Sequence, residues 1–176
     1  MYLSEDLLVA SNARVVVVAS DAHYEYNIKM KDLEGEPMPS LFEPLPEGSD
    51  QNAKFKKYAA SNRARVYFAK ELCKRYPEIT AVSLHPGLVN TEIIRDIEGC
   101  WFGCYKCIFR MGKTPEQGAA TSVHCATEEK VAEQRGEYFV SCKVKSLKEK
   151  LIDEEVQVKL WEVSEKFCKE NGGAEN

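Results

Sequence analysis

The chain has 176 residues, 44% hydrophobic and 30% charged, with a formal net charge of −4. That composition suits one soluble globular domain with a core of its own. It offers no basic face for nucleic acid, and no apolar run reaches membrane-spanning length.

The first residues, MYLSEDLLVA, carry two acids and no basic segment of the kind that opens a secretory signal. The seven cysteines are an odd number scattered through predicted helices and strands, which favours reduced thiols and a cytoplasmic location. Four consecutive β-branched residues, Val15 to Val18, then predict a strand apolar on both faces, as in a parallel sheet covered on both sides. It ends at Ser20, and Asp21 opens a loop in which His23 is expected to be solvated. Residues 34–53 hold four of the seven prolines and read as a long surface loop.

Helical periodicity starts near Lys54. Asn62, Val66, Ala69, Cys73 and Tyr76 form the stripe that should face the sheet. Lys54, Lys56, Lys57, Arg63 and Arg65 read as its solvated basic face. Pro77 stops the helix, and Ile79 to Leu84 form a second strand ending in a His-Pro-Gly turn. Helix and strand joined by a short link are half of a parallel crossover.

Residues 100–112, CWFGCYKCIFRMG, are aromatic and cysteine-rich. Cys100, Cys104 and Cys107, with His124 and Cys125, lack the second paired knuckle of a zinc site, so no metal is expected. Trp101, Phe102, Tyr105, Ile108 and Phe109 suit a lipophilic substrate, contact with a membrane surface or plain core. Thr114 as N-cap, Pro115 at N1 and Gln117 closing a capping box predict a helix to about Ala126. Gly136 to Cys142 reads as a third strand. Leu147, Leu151, Val158 and Trp161 mark a last helix ending near Lys169. The expected fold is α/β, a truncated Rossmann-like parallel sheet of about three strands with flanking helices. One domain spans 1–170, with a disordered tail at 171–176.

Ligands of open α/β sheets sit at the carboxyl ends of the strands, where Ser20 and Pro86-Gly87 fall. Tyr58, on the intervening helix, can point there. In this order ARVVVVASDAH, YAASN, HPGLVNTEI and KTPEQGAATSVHCAT resemble the retinol-dehydrogenase-like branch of the short-chain dehydrogenase/reductases, from about Leu7 to Phe167. The resemblance covers that family's C-terminal portion. It implies interconversion of a lipophilic alcohol and its carbonyl with NAD or NADP. Ser20 would then orient the substrate oxygen and Tyr58 transfer the proton, while Pro86, Gly87, Val89, Thr91 and Asn62 touch the cofactor.

Two departures bear on activity. Asn62 stands where the family carries a lysine. A tyrosine phenol ionises near pH 10, and a neighbouring cation favours the phenolate by roughly 1–3 units, which an amide cannot do. The chain also contains no G-x-x-x-G-x-G or G-x-G-x-x-G turn to seat a pyrophosphate on a helix N-terminus. An oxidoreductase impaired in this chain is therefore expected. The alternative is a non-catalytic interaction remnant that self-associates through the open edge of its first strand.

Overall fold

The computed structural model describes residues 13–35, 39–90, 112–147 and 152–171. Strand β1 (Arg14–Val18) pairs in parallel with β2 (Thr80–His85), and β2 pairs in parallel with β3 (Tyr138–Val140). Helix α1 (Gln51–Arg75) links the first two strands and α2 (Pro115–Thr127) precedes the third, so each parallel step contains a helix. A two-residue strand β4 (Lys143–Val144) turns back antiparallel to β3, giving the order β1-β2-β3-β4. Helix α3 (Glu154–Asn171) closes the described chain.

Alternation along the strands explains why both faces are covered. Val15, Val17 and Ala81 share a cluster with Ala69 and Leu72 of α1. Val16, Val82, Leu84 and Phe139 point the other way and meet Cys125 of α2. Fully buried side chains such as Val82 and Leu84 contribute about 1.5–3 kcal/mol each. A satellite cluster of Ile28, Leu33, Tyr67, Val156 and Leu160 ties α1 and α3 to the loop after β1.

The fold class stands as expected, and four details differ. The third strand is shorter, because Ser141 and Cys142 adopt positive φ (51° and 60°) and reverse the chain into β4. Helix α1 starts at Gln51, with Asp50 capping it by accepting from the Ala53 N–H at 2.7 Å, so the proline-rich loop ends earlier than residue 53. Leu147 precedes the last helix instead of lying on it, and Asn171 is still helical. The basic face of α1 also loses a member, since Arg63 is fully buried, donating Nε–H to the Tyr26 carbonyl at 3.2 Å with its guanidinium over the Tyr67 ring. The capping box of α2 forms as expected, Thr114 Oγ1 accepting from Gln117 N–H and Gln117 Oε1 from Thr114 N–H. No helix among the described residues is long and apolar enough to cross a membrane.

Candidate active site

The carboxyl ends of β1, β2 and β3 form one rim, and the titratable side chains gather there. Ser20 caps the 3₁₀ turn Asp21–Glu25, its Oγ accepting from the Ala22 N–H at 3.2 Å, which leaves its own O–H available to a ligand. The Ser20 carbonyl accepts from the His23 N–H at 3.0 Å and lies 2.8 Å from His23 Nδ1. This tight turn folds His23 under Tyr24 and Tyr138, with ring centroids 3.9 Å and 4.6 Å away. His23, expected from the sequence to be solvated, is completely buried. Burial pushes its pKa down to about 4, so it is neutral at physiological pH.

Tyr58 sits on the first half of α1 and is 47% exposed, so its phenol is open to a ligand. It lies close enough to Tyr138 to help raise that phenol's pKa, after burial and Asp21. Asn62 is buried directly beneath: its Nδ2 donates back to the Tyr58 carbonyl at 2.8 Å, and its Oδ1 accepts from Arg65 Nη1 at 3.4 Å. The amide is thus engaged inside its own helix. Arg65, itself exposed, also lies 3.5 Å from the Val18 carbonyl at the end of β1.

The strongest electrostatics centre on Asp21, Tyr138 and Lys145, which sequence reasoning passed over. Asp21 Oδ1 accepts from the Tyr138 O–H at 2.9 Å, while Oδ2 accepts from Lys145 Nζ at 3.2 Å and lies 4.0 Å from His85 Nε2. Burial alone would raise the pKa of Asp21. The Tyr138 hydrogen bond, His85 and Lys145 together outweigh that and lower it. His85 shifts down through burial, with Lys145 and Lys113 adding to the effect. The available signal was an acid placed directly after a strand end, with Lys113 just ahead of α2 and Lys145 just after the third strand.

Pro86 and Gly87 follow β2 at the rim, where Gly87 takes φ +94°, a conformation few side chains tolerate. Val89 forms an isolated parallel bridge with Lys113 and packs on Gly118 of α2, where an added Cβ would meet its Cγ2 at 2.6 Å. Thr91, Cys100, Cys104 and Cys107 lie outside the described residues. Cys125 is buried, and burial pushes its thiol up to about 11. Among the described residues no group of three His, Cys, Asp or Glu could hold a metal.

The fold agrees with the comparisons. Human retinol dehydrogenase 12 is 32% identical over 164 residues, covering 92% of this chain and 48% of that protein. Human retinol dehydrogenase 14 is 33% identical over 160 residues, covering 87% and 43%. This chain is a distant homologue of the retinol dehydrogenases. The relationship extends to human dehydrogenase/reductase SDR family member 13, at 29% identity over 92% of this chain and 41% of that protein. The homologous chain spans about half the length of the curated relatives it matches. A solved structure of an uncharacterised protein from Mycobacterium paratuberculosis shares the fold, with a TM-score of 0.57 at 18% identity over 89% of this chain and 50% of that one. No protein-family model matches.

Proposed function

We propose that this retinol-dehydrogenase-like chain is an oxidoreductase module for a lipophilic alcohol/carbonyl pair, with its own proton chemistry impaired. The observation that carries the reading is the common rim. Ser20 and Gly87 follow adjacent parallel strands at that rim, and the exposed Tyr58 lies on the helix that links those strands. Ser20 would hold the substrate oxygen through its free O–H, and Tyr58 would exchange the proton with it. The relatives' names point to a retinoid-like substrate.

The family implies NAD or NADP, which would supply or take the hydride. The residues present fit that group only in part. Pro86 and Gly87 offer backbone at the rim, but the Lys113 side chain lies over Gly87 and the Asn62 amide is already engaged. No catalytic step is therefore assigned through the cofactor. The impairment rests on Asn62, which is neutral and buried, with its amide bonded to the Tyr58 backbone rather than to the phenol.

Fluorescence titration with NADPH, followed by turnover with retinal, tests the reading. Weak nucleotide binding and background turnover are expected. Robust turnover would refute the impairment, and no nucleotide binding at all would refute the oxidoreductase assignment. A second reading, self-association, is favoured by β1, which pairs on one side only among the described residues and leaves Val18 exposed. Sedimentation of the purified chain separates the two.

A further inference from the structure

The same rim holds a lysine whose charge no acid among the described residues balances. Lys113 stands just ahead of α2, fixed by its own backbone: its N–H donates to the Leu88 carbonyl at 2.8 Å and its carbonyl accepts from the Asn90 N–H at 2.9 Å. Its Nζ donates to the Pro86 carbonyl at 3.2 Å and to Ser141 Oγ at 3.4 Å. Both acceptors are neutral, and among the described residues no carboxylate pairs with it. Lys145, the other lysine of the rim, is already paired with Asp21.

The backbone is shaped around this ammonium. A Cβ on Gly87 would stand 2.8 Å from Lys113 Nζ and 3.0 Å from its Cε, so the bare Cα makes the room in which the side chain lies. The Nδ1 of His85, which precedes Pro86, is buried with no partner among the described residues. A half-buried ammonium with three donors and two neutral acceptors has one N–H to offer and an unbalanced charge. Ser141 adds a hydroxyl held in place by its turn of positive φ.

We propose that Lys113, Ser141 and the Gly87 turn form an oxyanion-binding position at the C-terminal rim, taking the carboxylate or phosphate group of a ligand. An ammonium suits either as a compact point charge. A cationic ligand would instead face both Lys113 and Lys145, while Asp21 is tied down by Lys145 and Tyr138. A carboxylate would come from a substrate and a phosphate from a nucleotide. The site stands apart from the proposed proton chemistry, because binding requires no turnover.

The test is calorimetric titration of the whole chain with sodium phosphate and, separately, sodium hexanoate, at ionic strength held constant with chloride. Saturable binding is expected in at least one arm, weakened about ten-fold in Lys113→Met and retained in Lys113→Arg. Saturation by phosphate alone assigns the position to a phosphate-bearing ligand, and by hexanoate alone to a carboxylate. Lack of saturation in both arms, or equal affinity in the chain and its Lys113→Met variant, overturns the proposal. A thermal melt of each variant checks folding, and Lys113→Arg keeps the test decisive if the methionine variant unfolds. Failure of NADPH binding would count against the oxidoreductase reading while leaving the phosphate result readable.

Discussion

The two ends of the sheet hold their charges in different ways. At the amino end, cations meet backbone carbonyls: Arg14 donates to the Glu128 carbonyl at 2.6 Å, and Arg135 to those of Cys73, Tyr76 and Ile79 at 3.0 to 3.2 Å. Arginine does not titrate and a carbonyl cannot, so these contacts are indifferent to pH. At the carboxyl end, Asp21, His85, Lys145 and Tyr138 meet one another as side chains, and His23 packs on the Tyr138 ring. There, protonation of one group changes its neighbours. The first arrangement locks the strands onto the helices, and the second is equipped to respond to a ligand or a proton.

The largest expected break between the ends is in their response to acid. His23 is buried and neutral in the native state, with a pKa lowered from 6.5 to about 4. In the unfolded chain it takes a proton near pH 6.5, so between those values the unfolded state binds more protons and stability falls as pH falls. The loss over that window is roughly 2–4 kcal/mol. Urea unfolding at a series of pH values should show this slope in the parent chain and a much flatter one in His23→Phe. An undiminished slope in the variant would move the effect to another group.

Arg135→Ala should break the amino end instead. It strips the carbonyls at the end of α1 of a charged donor, costing about 2–3 kcal/mol. That cost should be the same at every pH where the protein is folded, and urea midpoints at pH 5 and 8 measure it. A pH-dependent cost would erase the distinction between the two ends.

Asp21→Asn sharpens the contrast at lower energy. The Tyr138 hydrogen bond can pass to the amide oxygen, and the Lys145 pair is partly exposed, so stability should change by less than about 1 kcal/mol. The larger readout is His85. Asp21 is the group that raises its pKa against burial and the two lysines, so the His85 titration followed by NMR should move to lower pH. An unmoved titration would mean that Asp21 and His85 do not sense each other.

Legibility followed the range of the interactions involved. The α2 capping box lies within four residues and was readable, as was the stripe from Asn62 to Tyr76. Asp21 and His23 were read as ordinary loop residues because their partners come from afar; the Tyr138 hydroxyl that binds Asp21 is 117 residues away. Arg63 was assigned to solvent by helical phase alone, whereas the Tyr26 carbonyl that receives its Nε–H is 37 residues distant. The turn at Ser141 and Cys142 continued an apolar strand pattern, and nothing in two non-glycine residues announces positive φ.

The smallest expected effect is that of Asn62→Lys on turnover. The substitution restores the residue type that the family carries, but it enters a buried position whose amide now bridges the Tyr58 carbonyl and Arg65. A lysine can keep the first bond, yet it offers no acceptor to Arg65 and sets a second cation beside it. Nor does it remove Lys113 from above Gly87 or add a glycine-rich turn. NADPH oxidation with retinal should therefore stay at background in the variant. A rise of more than about ten-fold, equivalent to about 1.4 kcal/mol in the barrier, would show that one missing charge had disabled the rim. The engaged amide and the overlying lysine would then be bystanders to the loss.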